Sequence, residues 1–243
     1  MQPPSTPQLP FQVAALMELH ERLVVHWHRD SGGNNSRDLA PLDGIDLTSP
    51  AALIARQHYF NFALWHEEDD ARSPSASDTV IAGVKRRIDR LNQQRNDAIE
   101  TIDLFLSDWL AGIPIDAPAS ARQNTETVGS VIDRLSILSL RLYHLDEQWN
   151  RTNVDPEHKE RTAAKISVCR EQQRDLAKGL DELLVDICQG VKRHKVYRQF
   201  KMYNDPTLNP AIYNSQSSFM SNRSIASSTG SHSEPNQENR KHD

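Results

Sequence analysis

Glycine, aromatic residues and cysteine are all scarce in this chain. Nine glycines in 243 residues, and few runs of Val, Ile or Thr, leave little material for hairpins and sheet. Aromatics make up 6% of the residues, so a core must rest mainly on aliphatic side chains. The two cysteines, Cys169 and Cys188, fall on one predicted helix. At about 1.5 Å of rise per residue they stand roughly 28 Å apart, too far to bridge. That suits a reducing compartment. No stretch approaches the ~18 apolar residues of a membrane span. The opening MQPPSTPQLPFQ lacks the basic and apolar regions of a signal peptide. A cytoplasmic protein without membrane association is therefore expected. The net charge of −5 gives no reason to expect nucleic acid. There is no P-loop, GxSxG or Rossmann glycine pattern, and no Glu with a His three residues on, as a di-iron bundle needs.

What is present is helical periodicity. Residues 1–10 are proline-rich and read as a disordered N-terminus. Residues 11–30 form a first helix with Val13, Leu16, Met17, Leu23 and Val24 inside. A loop rich in Gly, Asn and Pro follows. Ser49-Pro50 supplies a cap and a first-turn proline for a second helix to about Arg72. Ser77 or Asp78 caps a third, to about Leu110, with Val84, Ile88, Leu91, Ala98, Ile102, Phe105 and Trp109 as its seam. A fourth covers roughly 125–150, with Val128, Ile132, Leu135, Leu138, Leu142, Leu145 and Trp149 inside. Asp155-Pro156 starts a fifth, to about Gly190. The expectation is an all-α fold. It is an antiparallel bundle of four or five long helices forming a single domain over 11–210, with a disordered Ser/Asn-rich tail over 211–243.

Several polar residues interrupt the apolar stripes. Arg95 occupies a seam position of the third helix, flanked by Asn92, Asn96 and Asp97. The second helix offers Asn61, Trp65, Glu68 and Arg72 on one face, with Gln57 one turn earlier and His66 and Asp69 beside them. The fourth and fifth helices add Ser139 and Gln173. Buried polar groups need partners, and an unpaired buried arginine would be costly. Arg95 is thus expected to meet Glu68 or Asp69. One reading is a satisfied network that fixes helix register. The other is a pocket for a small polar, anionic or sugar-like ligand, or a protein partner. Its residues would be Asn61, Trp65, His66, Glu68, Asp69, Arg72, Asn92, Arg95, Asn96 and Asp97. No cofactor is required by this reading, and oligomeric state is left open.

An alternative uses the acids. Glu67 and Asp70, and likewise Glu100 and Asp103, stand three residues apart. Each pair shares a helix face and could chelate Mg²⁺ or Mn²⁺. That would suit a metal-dependent phosphohydrolase, and it resembles the all-α MazG-type nucleotide pyrophosphatases. His20, His26, His28 and His66 are read as packed or surface histidines, since His26 and His28 diverge on a helix. Lys192, Arg193, Lys195, Arg198 and Lys201 interleave with Tyr197, Phe200 and Tyr203. Such a segment can bind phosphates and stack bases. In an acidic chain it reads better as a helix C-terminus whose aromatics dock on the bundle.

Four segments carry a resemblance. They are Asn61-x-x-Leu64-Trp65-His66-x-Glu68-Asp69-x-Ala71-Arg72, the run from Lys85 to Asp103 containing Asn92-Gln93-x-Arg95-Asn96-Asp97, the run from Gly129 to Leu138, and Lys201 to Pro210. Together they resemble DUF4254, a bacterial family of unknown function, over about residues 50–212. The resemblance implies a helical protein whose WHxED and NQxRND segments are its signature, and implies no particular substrate.

Overall fold

The structure, a computed structural model, describes residues 9–30, 49–115, 117–200, 202, 205 and 207–211. The expected N-terminal segment as far as residue 8, the loop between the first two helices and the tail beyond 211 lie outside the described residues. Five helices form the fold: α1 (Val13–Asp30), α2 (Pro50–Ala71), α3 (Asp78–Ala111), α4 (Val128–Asn150) and α5 (Pro156–Cys188). Contacts divide the chain at residues 198 and 199. The second unit holds a turn in which Asp205 Oδ1 accepts from the amide and hydroxyl of Thr207.

Helix ends follow local chemistry. Ser49, Ser77, Thr127 and Asp155 each cap a helix by accepting a backbone N–H three residues on. The α5 terminus closes with Gly190 at φ 72°. Gly190 N–H bonds the Ile187 carbonyl, and Val191 N–H bonds that of Asp186. This pairing satisfies two terminal carbonyls and needs a left-handed residue at Gly190.

Helices α2 to α5 alternate in direction. Glu67 meets Arg87 across α2 and α3, Arg95 meets Asp133 while Asp103 meets Gly129 across α3 and α4, and Ser139 meets Gln173 across α4 and α5. Helix α1 instead runs parallel to α2, since His20 lies against His58 and His28 against His66. It runs parallel to α4 as well: His58 joins His20 to Ser136, and His28 lies against His144. The length of the connection between α1 and α2 permits this return.

Helix α2 is buried on nearly all sides, with Ile54, Ala55, Tyr59, Phe60, Phe62 and Ala63 in the main core. Helix α1 adds Leu19, His20 and Trp27 to the expected stripe. In α3 the buried residue of the last turns is Leu106, not Phe105. In α4 the stripe ends before Trp149, which is 41% exposed and has Lys159 over its ring. Helices α3 and α4 approach so closely at Gly129 that a Cβ there would lie 2.6 Å from the Ile99 carbonyl oxygen.

The basic segment differs from expectation. Helix α5 stops at Cys188, and Lys192–Arg193 forms a two-residue parallel pairing with Arg122–Gln123. Its cations pair singly: Lys192 with Asp186 at 3.0 Å and Arg198 with Glu100 at 3.3 Å, while Arg193 donates to the carbonyls of Pro118 and Ala119. Tyr197 is 41% exposed and stands under Lys195 rather than docked in the core. Lys201 and Tyr203 lie outside the described residues. No helix among the described residues is long and apolar enough to cross a membrane.

Candidate functional site

Asp133 of α4 is the centre of the buried polar layer. Its Oδ1 accepts from Gln57 Nε2 at 2.6 Å, Asn61 Nδ2 at 2.9 Å and Arg95 Nε at 2.7 Å. Its Oδ2 accepts from the Arg95 terminal nitrogen. The Asp133 carboxylate raises the Arg95 pKa above its ordinary value, against the opposing effect of burial. The carboxylate that meets Arg95 thus comes from α4, not from Glu68 or Asp69. Glu68 pairs on its own helix with Arg72 at 2.6 Å.

The layer continues inward. Asn61 Nδ2 also donates to Ser136 Oγ at 2.9 Å, and Ser136 Oγ lies 2.7 Å from His58 Nδ1. His58 Nε2 is 3.1 Å from the His20 carbonyl. A carbonyl only accepts, so Nε2 carries the proton and Nδ1 accepts from the Ser136 hydroxyl. Burial holds His58 well below its ordinary value, and the neighbouring His20 adds to this. Burial also pushes His20 down to about 3. His20 stacks on His58 at 4.3 Å, and among the described residues neither His20 ring nitrogen has a hydrogen-bond partner. Ser136 and His58 have the spacing of a nucleophile and base. Both are fully buried, so no substrate reaches them.

At the outer edge of this layer is a cleft of about 380 Å³. Its polar lining is Asn61, Glu68, Asp69, Arg72, Asn92 and Arg95, and its apolar lining is Leu64, Trp65, Ile137 and Leu140. Seven residues expected from the sequence line it: Asn61, Trp65, Glu68, Asp69, Arg72, Asn92 and Arg95. Three do not. Asp97 is exposed and accepts from Gln93, Asn96 is half-buried outside the lining, and His66 turns toward α1. The α4 residues Asp133, Ile137 and Leu140 were not expected at the site, although Asp133 and Ile137 fall in the Gly129 to Leu138 run that carries the resemblance. A signal existed: Gly129, Asp133, Ser136 and Leu140 follow i, i+4, i+7, i+11, a second buried stripe beside the apolar one.

The four acids of the magnesium alternative are not brought together. Glu67 is buried and accepts from Arg87 Nε at 2.7 Å, and Asp70 acts on the same arginine. Glu100 and Asp103 lie thirteen and sixteen residues further along α3 than Arg87, roughly 20 and 24 Å away. Asp103 accepts the Gly129 amide at 2.7 Å. Burial raises its pKa, while its bonds to Thr127 and Gly129 work the other way.

A family model described as DUF4254, protein of unknown function, matches residues 51–196. The chain belongs to the DUF4254 family. No curated protein and no solved structure matches it. The DUF4254 segment contains Gln57, Asn61, Arg95, Asp133 and every residue of the cleft, while α1 lies outside it.

Among the described residues one group of His, Cys, Asp or Glu side chains converges closely enough to hold a metal ion. It comprises His28, His66 and His144, whose ligand atoms lie within 4.8 Å of one another. The DUF4254 segment supplies His66 and His144, and α1 supplies His28. Burial holds the His28 pKa below its ordinary value, and His144 lowers it further, while the Val24 carbonyl and Glu147 act in the opposite sense. Trp65 links the two places, since it lines the cleft and stacks on His144 at 4.6 Å and 11°.

Proposed function

We propose that this DUF4254 chain binds a small polar ligand rich in both hydrogen-bond donors and acceptors, of sugar-like type, in the cleft between α2, α3 and α4. The cleft volume falls in the range of small-molecule sites, about 300–1,000 Å³. An apolar wall with one indole and several carboxylate, carboxamide and guanidinium groups suits a molecule with apolar faces and a hydroxyl rim.

The observation that carries this reading is the bidentate pairing of Arg95 with Asp133. The seam arginine is already neutralised from behind, and Arg72 is neutralised by Glu68. Glu68 and Asp69 then leave the lining without excess positive charge, so a multiply charged anion gains little there. The two unpaired cysteines support a reducing, cytoplasmic setting.

The test is a thermal-shift comparison of neutral monosaccharides, sugar phosphates and dicarboxylates. A ligand that binds only the native state raises the unfolding midpoint. Neutral sugars are expected to raise it in the parent and not in Trp65→Ala or Asn92→Ala. The reading fails if only dianions act, or if these two variants respond like the parent.

A further inference from the structure

Three parallel helices place histidines at one level. In α1 and α2 the same eight-residue step separates His20 from His28 and His58 from His66, and in α4 it separates Ser136 from His144. The lower layer is the buried His20, His58 and Ser136 group. About 12 Å above it lie His28, His66 and His144, each half-buried.

Two of the three imidazoles are oriented as ligands. His28 Nδ1 stands 2.7 Å from the Val24 carbonyl, which can only accept. Nδ1 is therefore protonated, and the lone pair is on Nε2. His144 Nδ1 stands 2.8 Å from Glu147 Oε2, which fixes the same tautomer. Both Nε2 atoms are buried and, among the described residues, have no hydrogen-bond partner. A buried acceptor without a donor is costly, and a metal ion would satisfy both at once. A second bond to a carbonyl or carboxylate that orients the ring and raises its basicity is the usual support of a metal-bound histidine. Ring packing holds the triangle in place: Tyr143 stacks on His28 at 4.1 Å and Trp65 on His144.

We propose that His28, His66 and His144 form a transition-metal centre of zinc type, with His28 Nε2, His144 Nε2 and a ring nitrogen of His66 as ligands. Three ligand atoms, one from each ring and all within 4.8 Å of one another, surround a point no more than about 2.8 Å from any of them. Each ring then has to advance by no more than ~0.7 Å to reach the Zn–N distance of about 2.1 Å. Three neutral imidazoles select zinc or a similar borderline ion, and not magnesium, which demands oxygen ligands. They leave the dication's charge uncompensated and one tetrahedral position open, which water or an anionic group fills. This centre is separate from the α2–α3 acids and does not depend on the cleft having a ligand.

The test is calorimetric titration of the full-length, tag-free, chelator-stripped chain with Zn²⁺, and with Co²⁺ for its visible spectrum. One equivalent of zinc is expected to bind and raise the thermal midpoint, and cobalt is expected to show the intense bands of a four-coordinate site. His28→Gln and His144→Ala should abolish stoichiometric binding with helical circular dichroism retained. Glu147→Gln, at an exposed carboxylate, should weaken zinc binding about 10- to 100-fold without touching the fold. His26→Gln should change nothing. Absence of stoichiometric zinc binding in the parent chain overturns the proposal. So does binding that survives both His28→Gln and His144→Ala, or a Glu147→Gln affinity equal to the parent's.

Discussion

Arg95 on α3 grips Asp133 on α4 with two nitrogens, while Gln57 and Asn61 of α2 donate to the same carboxylate. One acidic side chain thus ties three helices together and forms the wall behind the cleft. Asp133→Ala strands the buried Gln57 and Asn61 amides and leaves Arg95 without its partner. The expected loss of stability is about 3–5 kcal/mol, the range for breaking a buried charge pair. Urea denaturation measures it, and a loss below ~1 kcal/mol would show that Asp133 is dispensable.

Gly129 is set by contact rather than by backbone conformation. A Cβ there meets the Ile99 carbonyl oxygen at 2.6 Å and Asp103 Oδ1 at 3.0 Å. Gly129→Ala must push α3 and α4 apart or disturb the Asp103 bond to the Gly129 amide. A destabilisation of about 1–3 kcal/mol is expected, as for overpacking of a core. Differential scanning calorimetry reads it as a lowered midpoint, and an unchanged midpoint would contradict the close approach.

The buried histidines make stability depend on pH. His20 is pushed down to about 3 and His58 well below 6.5, whereas both titrate near ~6.5 in the unfolded chain. Below that value the unfolded chain binds protons that the folded chain rejects, so stability rises with pH. It is complete above ~6.5 and is lost as pH falls toward ~3, by up to ~1.4 kcal/mol per pH unit for each histidine. His20→Leu should flatten the urea midpoint's decline between neutral pH and pH ~5. A decline as steep as the parent's would place its origin elsewhere.

Magnesium should have no specific effect. With Glu67 held by Arg87 and the Glu100–Asp103 pair roughly 20–24 Å along α3, no group of three carboxylates among the described residues stands ready for one ion. MgCl₂ is expected to leave the thermal midpoint unchanged relative to NaCl of equal ionic strength. A shift lost in Glu100→Ala would restore the acids as a metal site.

Much of the fold could be read from local chemistry. Ser49-Pro50, Ser77, Asp155-Pro156 and Gly190 mark helix ends because caps and left-handed residues have short-range causes. The polar insertion at Arg95 was visible as a break in the seam. Its partner was not, because periodicity shows which residues share a face and says nothing of which faces meet. Asp133 lies on α4, and only the packing of α4 against α2 and α3 selects it. The parallel course of α1 was hidden for the same reason, since a long connection allows either direction. With it went the convergence of His28, His66 and His144, although the repeated eight-residue step between histidines in α1 and α2 was there to be seen.

Arg95 and Asp133 act as one unit at the back of the cleft. A double-mutant cycle of Arg95→Met, Asp133→Leu and the pair, followed by urea denaturation, reads their coupling. Arg95→Met alone is expected to cost about 1–3 kcal/mol by leaving a buried carboxylate short of donors. The pair is expected to cost clearly less than the sum of the two single changes, with a coupling of more than ~1 kcal/mol. Additivity within ~0.5 kcal/mol, as for independent sites, would show that the two side chains act separately.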